Sequence, residues 1–145
     1  MRYIGTVYKG KNGEFMYPGL NNADLSHTID SRIESNNDIF EKWANFLIPM
    51  FVEYKNKDKH FTAWITKGMP AWLDSLESGM KAHKGKFICG KELSIADLNT
   101  YSVFFKIVTN DKFEHNLICQ AIVEKYPKVK AWHALMNETF KDQHP

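Results

Sequence analysis

Apolar side chains recur every three or four residues along most of the chain, which is the spacing of one face of an α-helix. This spacing predicts long helices over residues 24–52 and 61–84, a helix that begins at Ser94, and shorter helices over 113–122 and 127–140. No stretch alternates apolar and polar side chains over the length of a β-strand. The pattern therefore predicts an all-α fold, a helical bundle of about five main helices.

Polar and helix-breaking residues interrupt this pattern at a few places. Residues 2–8 have helical spacing but nothing upstream that caps a helix, so we interpret them as the last turns of a helix. Residues 14–22 are rich in turn-forming residues and are predicted to form a linker. Pro49 should kink or end the first long helix, and Pro70 should bend the second. Asn36 and Asn37, which interrupt the apolar stripe of the first long helix, predict a weak middle there.

The helix that begins at Ser94 has the clearest local signal. Ser94 can accept a hydrogen bond from the N–H of Asp97, and the Asp97 carboxylate can reach back to the N–H of Ser94, which makes a capping box. Leu93 and Leu98 are spaced to close a hydrophobic staple. As a cap alone, Asp97 should contribute about 0.5–2 kcal/mol of stability. The spacing predicts a core face made of Ile95, Leu98, Tyr101, Ser102 and Phe105.

Composition narrows the classes of function. The 145 residues are 43% hydrophobic and 14% aromatic, which suffices for one domain with a real core. The 19 basic and 17 acidic side chains leave a net charge of +2, and because only Arg2 and Arg32 are arginine, nucleic acid is not an expected partner. No run approaches the roughly 20 apolar residues of a membrane span. Cys89 and Cys119 fit reduced core thiols, so we expect a cytoplasmic protein.

The sequence contains no motif for hydrolysis, nucleotide binding or metal binding. Its six histidines have no H-x-x-x-H or H-E-x-x-H spacing, so no metal site is predicted. Two features leave alternatives open. Asp38 lies in a polar patch over residues 34–38, which is either a solvated helix face, the more frequent outcome, or a group pointed into a cleft. Aromatic side chains such as Phe40 and Phe105 form either the core, again the commoner outcome, or the wall of an apolar pocket.

The order and spacing of several motifs resemble the carboxy-terminal helical domain of cytosolic glutathione transferases, of the mu, alpha and sigma-like branches. The motifs are R-Y-I-G-T-V-Y near the start, Y-P-G before the first long helix, K-G-K-F-I-C-G-K after the second, L-S-I-A-D-L at the capping box and Y-P-K-V-K-A-W-H-A-L-M in the last helix. The resemblance implies that residues 1–22 are a remnant of the last helix of a thioredoxin-like domain plus a linker. Residues 23–145 are then the helical domain.

In this family the groups that activate the glutathione sulfur belong to the thioredoxin-like domain. The resemblance therefore implies no catalytic residue in this chain and no cofactor, with glutathione as cosubstrate only where that domain is present. It gives Ser94 and Asp97 a folding role. It also implies one wall of the electrophile site, and Asp38 is similar to an acidic residue that in some members reaches the glutathione amine of the neighbouring subunit. The residues we assign to substrate binding are Asp38, Phe40, Tyr101 and Phe105.

Three functions are compatible with this resemblance. The first is a non-catalytic module that binds a protein partner, or a second copy of itself, through an apolar surface on the first two long helices. Such a module would scaffold a larger assembly, in the cytoplasm or in mitochondria. The second is a piece of an active glutathione transferase that conjugates glutathione to hydrophobic electrophiles. The third is a carrier of small hydrophobic ligands.

Overall fold

The computed structural model describes residues 2–9, 13–52 and 57–141, and for 44–52 and 57 it describes the backbone alone. Its α-helices are α1 (Arg2–Val7), α2 (Ala23–Val52), α3 (Lys57–Ala63), α4 (Met69–His83), α5 (Ile95–Phe104), α6 (Asn116–Val123) and α7 (Pro127–Phe140). The described residues form no β-strand and contain two isolated bridges. The predicted all-α bundle is confirmed. Across these same residues, no helix has both the length and the apolar character that a membrane crossing requires.

The second long helix begins at Lys57, earlier than predicted, and contains a π turn over Trp64–Gly68 just before Pro70. At the end of this turn the N–H of Met69 donates to the carbonyl of Trp64, five residues back. Because Pro70 has no N–H to donate, the wider turn lets the helix continue past the missing bond. α3 and α4 therefore follow each other without a break. The predicted bend at Pro70 stays a prediction.

α2 is a 30-residue helix that passes through Pro49 in its last turn. Asn36, near its middle, is fully buried and joins α2 to two other helices. Its side-chain oxygen accepts a hydrogen bond from Nε1 of Trp72 on α4 at 3.1 Å. Its amide nitrogen donates to Oγ1 of Thr100 at 2.7 Å and to Oδ1 of Asn99 at 2.8 Å, both on α5. The prediction of a weak middle was wrong, because this polar residue is a buried cross-link with its partners in place.

α5 runs through the centre of the core. Phe104 is completely buried, and its ring centroid lies 5.1 Å from that of Trp72 on α4 and 5.3 Å from that of Trp132 on α7. Since helices pack on more than one side of α5, its buried surface is wider than a single stripe. The predicted core face was therefore wrong at two positions, because Ser102 and Phe105 are exposed and Phe104 takes the central place.

α7 begins at Pro127, as predicted, and its N-terminus is capped by a side chain from another helix. Glu77 of α4 is buried, and its Oε2 accepts hydrogen bonds from the backbone N–H of Lys128 at 2.9 Å and of Val129 at 3.1 Å. Its other oxygen lies 3.1 Å from Nζ of Lys81, one turn along α4. A negative charge is favourable at a helix N-terminus, so Glu77 ties α4 to the start of α7.

The residues before α2 pack onto the starts of α2 and α5. Nε of Arg2 donates to Oδ1 of Asp30 on α2 at 2.8 Å. Gly5 of α1 is buried, and a Cβ at its position would come within 2.6 Å of Cβ of Tyr17 and 2.8 Å of Cγ2 of Ile95. Glycine is therefore required for this close approach. A domain boundary between residues 22 and 23 stays a prediction.

Candidate functional site

A cleft of about 400 Å³ opens between α2 and the helix that runs through α4. Ile39 and Trp72, both buried, form its apolar floor. Its rim has the exposed charges of Asp38 and Lys42 on α2 and of Lys67 in the π turn. None of the ion pairs among the described residues includes these three charges. A carboxylate and two ammonium groups around an apolar floor suit a small ligand with charges of both signs.

Arg32 clamps the two walls of this cleft together. Its Nη1 donates to Oγ of Ser75 on α4 at 3.0 Å, and its Nη2 donates to the Ser75 carbonyl at 3.3 Å. A Cβ at Gly79 would come within 2.8 Å of Nη2, so the glycine leaves the space that the guanidinium occupies. Burial lowers the pKa of Arg32, but arginine remains charged in proteins at neutral pH. These contacts of Arg32 therefore fix the spacing of α2 and α4.

Two of the four predicted substrate-binding residues lie near the surface outside this cleft. Phe40 is 39% exposed, and Nζ of Lys106 stands 4.9 Å from its ring centroid. Phe105, 42% exposed, is the first residue of a π turn over Phe105–Thr109. Asp38 lines the cleft, whereas Phe40 and Phe105 do not.

The fourth predicted residue, Tyr101, belongs to the packing of α5 on α7. Its side chain is buried, and its hydroxyl donates to Oδ1 of Asn137 at 2.8 Å. Its ring is stacked with that of Phe140, with 5.8 Å between the centroids. The three pockets that lie within the described residues, at α2 and α4, at α4 and α7, and at α6 and α7, do not gather the four predicted positions. Their role in substrate binding stays a prediction.

The capping box at the start of α5 is present and has more partners than its sequence shows. Oδ2 of Asp97 accepts from the N–H of Ser94 at 2.9 Å and from its hydroxyl at 2.7 Å. Oδ1 accepts from the N–H of Ile88 at 2.9 Å and from Nε1 of Trp132 at 2.9 Å. Asp97 is 0% exposed. One carboxylate therefore binds the loop before α5, the first turn of α5 and the side of α7.

The electrostatics of Asp97 reflect two opposing effects. Burial raises the pKa of Asp97, since a charge is costly away from water, and its hydrogen bonds to Ile88, Ser94 and Trp132 pull the pKa back down. With every hydrogen-bonding position taken, the carboxylate has no capacity left for a substrate. Its four hydrogen bonds hold the start of α5 against the preceding loop and α7.

The two thiols offer no nucleophile. Burial raises the pKa of Cys89 to about 12 and that of Cys119 to about 11, so both stay protonated near neutral pH. In the part of the chain that the structure describes, no group of three or more His, Cys, Asp or Glu side chains could hold a metal ion.

An exposed apolar surface that was not predicted from the sequence lies on α1 and on Tyr8, the residue that follows it. Tyr3 is 79% exposed, Ile4 54%, Val7 52% and Tyr8 63%. On the two long helices, by contrast, Phe40 is the large apolar side chain that stands exposed among those described. One signal in the sequence could have predicted this surface. It is the helical spacing of Tyr3, Ile4, Val7 and Tyr8 on both sides of Gly5, which faces the bundle. The predicted apolar surface on the two long helices stays a prediction, because part of it falls on residues 44–57, whose side chains lie outside the described ones.

The bundle, with its capped central helix, is an all-helical domain. A family model described as "Glutathione S-transferase, C-terminal domain" matches residues 37–141, which is well over half of the chain. The chain belongs to this family. No curated protein and no solved structure matches it.

Proposed function

We propose that this chain is a non-catalytic helical module that binds a protein partner through the apolar face of α1. The observation that supports the proposal is the exposure of Tyr3, Ile4 and Val7 on this helix of six residues and of Tyr8 directly after it. Apolar side chains that lie together on a surface favour a protein interface. Tyrosines are especially suited to one, because they bury a large area and keep a polar tip.

Hydrogen bonds hold the helix that carries the α1 face against its neighbours. Asp30 of α2 accepts hydrogen bonds from Arg2 at 2.8 Å and from the Tyr17 hydroxyl at 3.0 Å. The N–H of Tyr17 donates to the carbonyl of Gly5 in α1 at 3.0 Å. A surface that is ordered before binding loses less conformational entropy on association. This favours a defined partner over unspecific adhesion.

A catalytic role for the described residues alone has no support. Glutathione conjugation needs a group that stabilises the thiolate, and the described cleft contains a carboxylate and two ammonium groups but no buried donor directed at a sulfur. The expected compartment for a binding role is the cytoplasm, or mitochondria for a module inside a larger assembly. The partner surface that we propose lies on α1 and not on the two long helices.

A second candidate function is supported by the cleft at Asp38. Its exposed carboxylate has no ion-pair partner in the described residues and could hold an amine, which fits the helical half of an active glutathione transferase. In that case a thioredoxin-like domain must supply the thiol chemistry, and α1 would pack against it.

Light scattering after size-exclusion chromatography tests the binding proposal. Without its partner, the chain should self-associate at micromolar concentration through the α1 face. The double variant Tyr3→Ser/Val7→Ser should restore the mass of a monomer. Leu117→Ser is the matched control, since Leu117 is 73% exposed on α6, away from α1. A wild-type chain that runs as a well-behaved monomer would overturn the proposal.

Conjugation of glutathione to an aryl chloride separates the two candidates. The chain is assayed alone and after addition of a separately expressed glutathione-transferase thioredoxin-like domain. Activity that appears only with the added domain, and that falls in Asp38→Asn, would favour the second candidate. No activity in either case, together with α1-dependent association, favours the binding module.

A further inference from the structure

A second pocket, of about 330 Å³, lies between the end of α4 and the first turns of α7. Met80 and Leu135 form its apolar part, the first buried and the second half-buried. Three exposed lysines surround it: Lys84, Lys86 and Lys128. The pocket thus combines a small apolar surface with three positive charges.

Backbone geometry constrains the main chain at two of these lysines. Lys84 has a left-handed backbone, with φ of 52°, at the end of α4. The next residue, Gly85, approaches the loop so closely that a Cβ there would lie 1.8 Å from the carbonyl oxygen of Gly90. The chain on either side of Gly85 is therefore held tightly, and Lys84 and Lys86 flank this fixed point.

Charge compensation within the fold does not account for all three lysines. Cations are favourable at a helix C-terminus, which explains Lys84 at the end of α4. Lys128, however, is the second residue of α7, where the helix dipole disfavours a cation. The carboxylate of Glu77 lies nearby, but its ion pair is with Lys81. None of the ion pairs among the described residues includes Lys84, Lys86 or Lys128.

We propose that this pocket is a binding site for a phosphate monoester with a small apolar body. The phosphate carries a charge of about −1.5 to −2 at neutral pH. Several lysines therefore match a phosphate better than they would match a ligand with one carboxylate group. Lysine binds phosphate as a point charge and needs no fixed fork geometry. The apolar body packs on Met80 and Leu135. The pocket volume is at the small end for ligand sites, which fits an aryl or short alkyl group.

Methyl NMR of the full chain tests the site, with phenyl phosphate as the probe and inorganic phosphate and phenol as comparisons. Phenyl phosphate should shift the methyl signals of Met80, Ala131 and Leu135, and it should bind more tightly than either comparison compound. Binding should weaken as salt rises, because exposed charges are screened. It should also weaken below the second phosphate pKa, near 6.

Single lysine variants separate this pocket from general attraction to a basic protein. Lys84→Gln, Lys86→Gln and Lys128→Gln should each raise the Kd for phenyl phosphate roughly three- to five-fold at low salt. Lys112→Gln makes the same change of net charge at an exposed position outside the pocket and should leave the Kd unchanged. Leu135→Ser should remove the preference for phenyl phosphate over inorganic phosphate.

Two results would overturn the proposal. One is the absence of shifts at Met80 and Leu135 up to millimolar phenyl phosphate. The other is an equal loss of affinity in Lys112→Gln and in the pocket variants, which would mean that net charge alone attracts the probe. Both readouts are independent of the α1 face, so this proposal can fail or succeed without affecting the proposed function.

Discussion

The start of α5 and the surface of α1 differ in the burial of their side chains. At the start of α5, Asp97 is 0% exposed and takes four hydrogen bonds from three parts of the chain. On α1, large apolar side chains stand in solvent, and the link to α2 is the ion pair of Arg2 with Asp30. The first region concentrates stability. The second exposes an apolar surface that is available for binding. Substitutions in the first region should therefore change stability, and substitutions in the second should change binding.

Asp97→Ala should produce the largest loss of stability. The variant leaves the N–H groups of Ser94 and Ile88 and the indole N–H of Trp132 buried without an acceptor, and each orphaned group costs about 1–3 kcal/mol. We expect a total of about 3–5 kcal/mol, which is in the lower half of the sum for three orphaned groups. This exceeds the 0.5–2 kcal/mol expected from a helix cap alone. Urea unfolding followed by circular dichroism measures it.

Two further variants show whether the contacts of Asp97 cause this loss. Asp97→Asn keeps an oxygen for Ile88 and Trp132 but turns an NH₂ group toward the N–H of Ser94, so its loss should be intermediate. Asp111→Ala removes an exposed aspartate from the loop before α6 and should change little. A loss in Asp97→Ala no larger than that of an ordinary cap would show that the bonds to Ile88 and Trp132 contribute nothing.

Glu77→Ala should have the next largest effect. Without this carboxylate, the N–H groups of Lys128 and Val129 lose their acceptor, and α7 loses a favourable charge at its N-terminus. Its own cap position, Tyr126, supplies no side-chain bond in compensation. We expect a loss of about 1–3 kcal/mol, measured by urea unfolding.

Glu124→Ala is the control for Glu77. It removes an exposed glutamate that also pairs with a lysine, Lys130, where both side chains are more than half exposed. Exposed pairs contribute little. If the two glutamate variants lost the same amount, capping across helices would not explain the role of Glu77.

The sequence predicted interactions between near neighbours and missed those between distant ones. Ser94 and Asp97 are three residues apart, so the capping box was visible in the pattern. Trp132 is 35 residues from Asp97, and nothing in local spacing connects them. Asn36 looked like a polar interruption of a helix for the same reason, and no local pattern pointed to Glu77. Their partners lie on other helices and become visible only once the helices are packed.

The candidate site was harder to predict than the fold. Helical spacing put Phe105 on the core face, but because α5 packs on more than one side, Phe104 takes the buried place. Asp38 does reach a cleft, and Lys42 lies one turn further along the same helix, yet Lys67, which shares the rim, lies on another element. A local pattern reports which face of a helix is apolar. It does not report which polar groups from two helices will meet.

A smaller effect is expected from pH at His133. Burial lowers the pKa of His133, whose Nε2 lies 3.0 Å from Oγ1 of Thr109. The unfolded chain, with a histidine pKa near 6.5, then binds this proton more readily than the folded chain. Stability from this group is complete above about pH 6.5 and is lost as the pH falls toward the lowered value.

Urea unfolding at pH 7.5 and 5.5 measures this loss, and His133→Gln should reduce the difference between the two values. The opposite tendency of Asp97, whose raised pKa favours the folded state in acid, is common to both proteins and cancels in the comparison. His27→Gln, at an exposed histidine, should leave the difference as in wild type. An unchanged pH dependence in His133→Gln would show that burial of this imidazole has no consequence for stability.

The smallest change in overall stability is expected from Asp30→Ala, although its local effect should be clear. The variant removes the acceptor for Arg2 and for the hydroxyl of Tyr17, so α1 should separate from the bundle more often. Amide hydrogen exchange should speed up at Tyr8 and Tyr17, whose N–H groups donate to carbonyls of α1 at 2.9 and 3.0 Å. Exchange at the buried amides of α5 should stay at the wild-type rate. If Asp30→Ala instead lowered protection throughout α5, α1 would belong to the same cooperative unit as Asp97. The distinction between a stable centre at α5 and an exposed binding surface on α1 would then be wrong.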